Sequence, residues 1–260
     1  MSSATGTDLV SFVEAPGAFM EPRPDLVIER SRRYTLVAEP GNTWAAVEGI
    51  RLGGYDVDEA VANVARFLAR TNTRIASWWL TERTTPHDLE ERLLAAGLER
   101  KDDDYLIDGL LATAAPPPGP PDVEAREVAS VVEHVAARRV QYDGFGTPAE
   151  QRLSDDALAA EYGRTSAPLF AAWIDGELVA AARAAFARCG ALLIGGATLP
   201  PARGRGAYRA LVRARWDAAA ARGTPALTVG AGAMSAPILY ALGFEKVVQF
   251  RRLQSVASRS

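Results

Sequence analysis

One cysteine and two histidines stand among 260 residues, and each scarcity closes a class of function. Cys189 alone makes no disulfide framework and no cysteine-based zinc site. His87 and His134 lie far apart in sequence and offer no metal-ligand spacing, so no metal is expected. No apolar run reaches the roughly 20 residues of a membrane span, and Met1 to Val10 lacks the basic-then-apolar order of a secretory signal. Neither sign of charge dominates: 29 basic side chains face 32 acidic ones. That balance argues against a broad electrostatic footprint for nucleic acid or anionic lipid. The expectation is a soluble, cytoplasmic protein, monomer or homodimer, with no nucleic-acid or membrane partner. Lysine occurs only at Lys101 and Lys246, while arginine and alanine abound, which reads as codon bias rather than function.

The length allows two small domains with real cores. The clearest punctuation is Ala114-Ala115-Pro116-Pro117-Pro118-Gly119-Pro120-Pro121. Consecutive prolines remove backbone donors and hold an extended backbone, so the stretch reads as a semi-rigid linker at 114–121 between domains at 1–113 and 122–260. Before it, strands are expected at Arg33–Val37, Trp44–Leu52, Ile75–Leu80 and Tyr105–Leu111, with helices from Asp56 to Ala69 and after Thr85-Pro86. After it, Val123–Val140 reads as an amphipathic helix and Ser154–Tyr162 as another. Strands follow at Phe170–Ile174 and Leu178–Phe186 around the hairpin signal Asp175-Gly176, then at Ala191–Leu199. A helix from Tyr208 to Ala221, a strand from Ala226 to Val229, a short helix from Ser235 to Leu242 and a strand from Phe244 to Leu253 complete the chain. Leu94-Ala95-Ala96-Gly97-Leu98-Glu99-Arg100 and Tyr240-Ala241-Leu242-Gly243-Phe244-Glu245-Lys246 share one pattern, which suggests a repeat at domain scale.

Chemistry concentrates in Ala197-Thr198-Leu199-Pro200-Pro201-Ala202-Arg203-Gly204-Arg205-Gly206-Ala207-Tyr208-Arg209. A strand feeds a turn rich in glycine and arginine, and the turn feeds a helix. Gly204 and Gly206 let a ligand approach the backbone closely. The first amides of the helix near Ala207 are unpaired donors at a positive dipole end, suited to phosphate, and Arg203 and Arg205 add charge. No Gly-Lys-Ser/Thr follows, and the third glycine of a dinucleotide fingerprint is missing.

On these residues the second half resembles the GNAT superfamily of acyl-coenzyme A-dependent N-acyltransferases. Its signature, Arg/Gln-x-x-Gly-x-Gly/Ala, is matched by Arg203-Gly204-Arg205-Gly206-Ala207-Tyr208 at the arginine and the first fixed glycine, with Tyr208 in the last place. Leu242-Gly243-Phe244 matches a later family feature. The resemblance implies an α/β (α+β) fold of two tandem GNAT-like domains, a mixed central sheet flanked by helices, with the first domain degenerate and packed on the active one. It implies acetyl-coenzyme A as acyl donor, with no metal, and a small-molecule or peptide amine as acceptor, attacking directly. Ala197, Thr198 and Leu199 then line pantetheine and steady the thioester oxyanion, while the amides from Arg205 to Arg209 hold the diphosphate.

The family's usual Tyr-x-x-Leu-Gly-Phe is one residue short here, at Tyr240-Ala241-Leu242-Gly243-Phe244. Tyr240 is a candidate acid, against the plainer reading of a partly buried aromatic. Ser235-Ala236-Pro237-Ile238-Leu239 resembles the family's Ser-x-x-x-Leu subset, which adds Ser235 to the coenzyme-binding candidates. No general base stands out. Asp143, in the aromatic-glycine stretch Gln141–Gly146 where the family often shapes its acceptor pocket, is a candidate catalytic residue on a flexible lid, against the plainer reading of a turn residue; Glu48 could face a shared cleft, though strand carboxylates usually face water. The alternatives are a non-catalytic acyl-coenzyme A sensor and a thioester hydrolase or decarboxylase on the same scaffold.

Overall fold

A computed structural model describes residues 6–41, 43–53, 56–100, 105–165 and 167–256. The chain forms two compact units that are not contiguous in sequence. The first holds Met1–Leu111, Gly230–Tyr240 and Glu245–Ser260; the second holds Ala112–Val229 and Ala241–Phe244. Each is a mixed sheet flanked by helices.

In the first unit, α1 (Gly6–Glu14) and a 3₁₀ turn at Pro16–Phe19 precede β1 (Val27–Arg30), β2 (Thr35–Ala38) and β3 (Trp44–Glu48). The elements before Arg33 are additional to those expected from the sequence. The expected helix is α2 (Val57–Thr71), started by the Asp56 carboxylate, which accepts from the Asp58 N–H at 2.9 Å, and stopped by left-handed Asn72. Its spacing buries Val57, Val64, Phe67 and Leu68 against Leu36, Val47 and Trp78. β4 (Ile75–Leu80) has the expected bounds. It sends Trp78 into this core and Trp79 to the opposite face, where Trp79 meets Phe250 edge-on. Next come α3 (Leu89–Ala95), β5 (Glu99–Arg100) and β6 (Leu106–Ala112).

The second unit opens with a correction. Val123–Glu127 is strand β7, antiparallel to β8 (Leu169–Ile174), and the helix α4 spans Val131–Phe145. The overlooked start signal is Ser130-Val131-Val132-Glu133: the Ser130 hydroxyl accepts from the Glu133 N–H at 3.2 Å, and the Glu133 carboxylate accepts from the Ala129 N–H at 2.8 Å. The stretch from Gln141 to Phe145 is therefore the last turn of this helix rather than a flexible lid, and left-handed Gly146 ends it. α5 (Asp155–Glu161) starts at its Ser154 cap. β8 and β9 (Glu177–Ala187) are joined by Asp175 and Gly176, both with positive φ, as a two-residue hairpin turn demands. β10 (Gly190–Thr198), α6 (Ala207–Ala221) and β11 (Leu227–Ala231) follow, β10 antiparallel to β9 and parallel to β11. Both α4 and α6 pack on this sheet. Ala171, Ala172, Ala180, Ala181, Ala182 and Ala184 are fully buried in it, so the abundant alanine has a packing role beyond codon bias.

The proline-rich stretch packs against α6 instead of spanning free space. A Cβ added at Gly119 would lie 2.5 Å from the Ala210 Cβ, and Arg213 donates to the Pro116 carbonyl at 3.2 Å. The chain then returns to the first unit through α7 (Ala236–Ala241) and β12 (Glu245–Val256). β12 lies between β4 and β6, antiparallel to both. The contiguous division at 122–260 places this strand with the second half, whereas its partners are in the first. Gly97 and Gly243 share a left-handed conformation, φ +89° and +88°, each ending a helix before a strand, so the two similar heptapeptides make the same turn. Among the described residues no helix is long and apolar enough to cross a membrane.

Candidate functional site

β10 of the second unit is irregular on both sides, which marks the candidate site. Its pairing with β11 covers only Ala191–Leu227 and Leu192–Thr228. Beyond Leu192, toward Thr198, β10 continues no ladder with β11 among the described residues. On the β9 side the ladder skips from Ile194–Arg183 to Ala197–Ala181, a bulge in which Gly195 and Gly196 oppose one residue. Gly195 has φ +57°, open to glycine at little cost. Gly196 must lack a side chain for another reason: a Cβ there would lie 2.7 Å from the Tyr208 ring.

Of the three strand-end residues expected to meet a thioester, Leu199 donates its N–H to the Val179 carbonyl at 2.9 Å. Antiparallel alternation turns Ala197 the same way and Thr198 the other way, toward the open edge. The Thr198 carbonyl there accepts from Arg203 Nε at 3.3 Å. Only Thr198 of the three presents its main chain to that edge.

After the 3₁₀ turn Pro200–Ala202, Gly204 and Gly206 both adopt φ near +80° (80° and 84°) and aim the chain into α6. No side chain caps this helix, so the amides of Ala207, Tyr208 and Arg209 stand at its positive end without intrahelical partners. Gly204 has open space where a Cβ would go, while at Gly206 a Cβ would lie 2.4 Å from Pro120 Cγ. Arg203 turns back to brace the site, its second bond being to the Gly144 carbonyl at 3.1 Å. Arg205 pairs with Asp175 at 3.2 Å, and Arg209 is exposed. Tyr208, the departure from the GNAT signature, turns inward across Gly196. Behind it, burial pushes the Arg215 pKa down to about 10, a fall the Tyr208 hydroxyl opposes.

A polar column that the sequence reading missed supports the bulge. Glu161 accepts from Arg138 Nε at 3.1 Å and Arg183 at 3.0 Å, with buried His134 at 3.4 Å. Burial works against the Glu161 charge, yet the bond from His134 and the charges of Arg138 and Arg183 pull its pKa to about 2. Arg138 also donates to Gln141 Oε1 at 2.8 Å, and Gln141 Nε2 donates to the Gly195 carbonyl at 2.7 Å. The available signal was a glutamine on the face of α4 that buries Ala137 and Val140.

Asp143 points away to Arg152, 2.7 Å, at the end of α4. Tyr240 and Ser235 belong to the first unit. The Tyr240 hydroxyl donates to Asp108 at 2.7 Å, and that bond, followed by partial desolvation, raises its pKa. Asp108 also holds Lys246 at 2.7 Å. The Ser235 hydroxyl donates to the Gly232 carbonyl at 3.4 Å. Glu48 is buried rather than solvated, and burial, partly offset by the 2.9 Å bond from the Gly17 N–H, pushes its pKa to about 7.

The helix-flanked mixed sheet has the fold of solved structures described as GCN5-related N-acetyltransferases. No protein-family model matches the chain, and no curated protein matches its sequence. Solved structures do match in fold. A GCN5-related N-acetyltransferase from Kribbella flavida is 18% identical, with a TM-score of 0.61 over 91% of each chain. One from Sphaerobacter thermophilus is 13% identical, with a TM-score of 0.56 over 89% of this chain and 83% of that one. A tandem GNAT protein from the clavulanic acid biosynthesis pathway is 15% identical, with a TM-score of 0.55 over 100% of this chain and 98% of its own.

Proposed function

We propose that this chain is an N-acetyltransferase that moves the acetyl group of acetyl-coenzyme A to an amine of a small molecule or peptide. The carrying observation is the continuity of an open β10 edge, a turn with two left-handed glycines and an uncapped α6. In this reading the amides from Ala207 to Arg209 hold the diphosphate, and the main chain of Thr198 pairs with the pantetheine amides. The acceptor amine, uncharged, adds to the thioester carbonyl; the C–N bond forms as the C–S bond breaks. The amine's proton passes to water, and solvent protonates the departing thiolate. Tyr240 is the candidate acid only if its hydroxyl leaves Asp108. Asp143 is a candidate only if its carboxylate leaves Arg152.

Calorimetric titration with coenzyme A and acetyl-coenzyme A, followed by thiol release over a panel of amines, tests the reading. Saturable binding with amine-dependent thiol release supports it. Binding without release over the panel favours a non-catalytic sensor, and release without amine favours hydrolysis. Absence of binding overturns it.

A further inference from the structure

We propose that Gln141 is a positioning residue for the acyl group: it holds the Gly195 carbonyl so that main-chain N–H groups at the β10 bulge, and no unpaired carbonyl, face the thioester oxygen. This rests on the acetyl-transfer reading and deepens it. Gly195 and Gly196 fall outside the ladder with β9, at the stretch of β10 beyond its register with β11. A carbonyl left bare there would repel a thioester oxygen and, once water is excluded, be costly to leave unpaired. Gln141 supplies the missing donor from α4, at 2.7 Å.

The orientation of that amide is dictated by its other neighbour. A guanidinium can only donate. Arg138 therefore requires Gln141 to present Oε1, at 2.8 Å, which leaves Nε2 for Gly195. Arg138 is itself held by Glu161, the carboxylate that also takes Arg183 of β9. Gln141 is 3% exposed and its chain of partners ends at the bulge. An apolar residue would fill the same space without desolvating an amide; what only the amide provides is a donor at the gap in the ladder.

The test uses Gln141→Glu, which keeps the acceptor for Arg138 and loses the donor for Gly195, and Gln141→Met, which loses both at similar length. Vibrational difference spectra of acetyl-coenzyme A labelled with ¹³C at the carbonyl are recorded bound to the full chain, beside coenzyme A titrations. In the wild type the bound carbonyl band falls below its solution value. In either folded variant it returns to the solution value, while coenzyme A affinity stays within twofold. An unchanged band in a variant that binds coenzyme A overturns the role of Gln141 alone. Failure of the wild type to bind either compound overturns the acetyl-transfer reading and this role with it.

Discussion

Gly206 and Pro120 are the sharpest point at which the turn can be probed. Gly206 has φ +84°, and an added Cβ would meet Pro120 Cγ at 2.4 Å and Cδ at 2.6 Å, but Pro120 Cβ only at 3.9 Å. Gly206→Ala thus carries two separable costs. The left-handed backbone costs about 1–2 kcal/mol for a residue with a Cβ, and the collision with a ring that cannot rotate away about 1–3 kcal/mol. Pro120→Ala removes both offending atoms and alone costs less than about 1 kcal/mol, through the unfolded chain. In the double variant the backbone cost persists and the collision vanishes, so a urea-denaturation cycle over the four proteins gives a coupling of about 1–3 kcal/mol. The double variant also binds coenzyme A more tightly than Gly206→Ala. Additivity of the two substitutions, or a neutral Gly206→Ala, refutes the packing of the proline-rich stretch on the helix start.

Other substitutions probe the remaining parts. Glu48 has a folded pKa, about 7, above its ordinary 4.5, so its contribution is complete below 4.5 and lost as pH rises through 7, by at most about 3 kcal/mol. Glu48→Gln keeps an acceptor for Gly17 and flattens that slope in urea titrations at pH 5 and 8; an unchanged slope counts against it. Glu161, with its pKa pulled to about 2, contributes stability above 4.5 that is lost as pH falls through 2. Because it is a quarter exposed, Glu161→Gln costs a discounted ~1–3 kcal/mol at neutral pH and near zero at pH 2. Tyr240→Phe lowers acetyl transfer by less than about threefold, since its hydroxyl serves Asp108; a loss of ~100-fold or more makes Tyr240 the acid.

Much of the second unit was legible because its signals are local. Ser154, Asp175-Gly176 and the glycine-arginine turn each dictate a conformation within a few residues, and all are found where the sequence places them. The strand at Val123–Glu127 was lost because apolar residues at helical spacing continued across a boundary set by the Ser130 cap. The position of β12 between β4 and β6 is a matter of long-range pairing, which alternation within one strand does not encode. At the site the turn was readable, but the directions of Arg203, Tyr208 and Leu199 were not. Each is decided by a partner distant in sequence: Gly144, Gly196 and Val179.

The most direct measurement is a crystal structure of this protein with coenzyme A. The account predicts the diphosphate on the main-chain nitrogens of Ala207 to Arg209, with the pantetheine arm running along the open edge of β10 beside Thr198. Density for the diphosphate at any other place, or coenzyme A seated away from that edge, contradicts it.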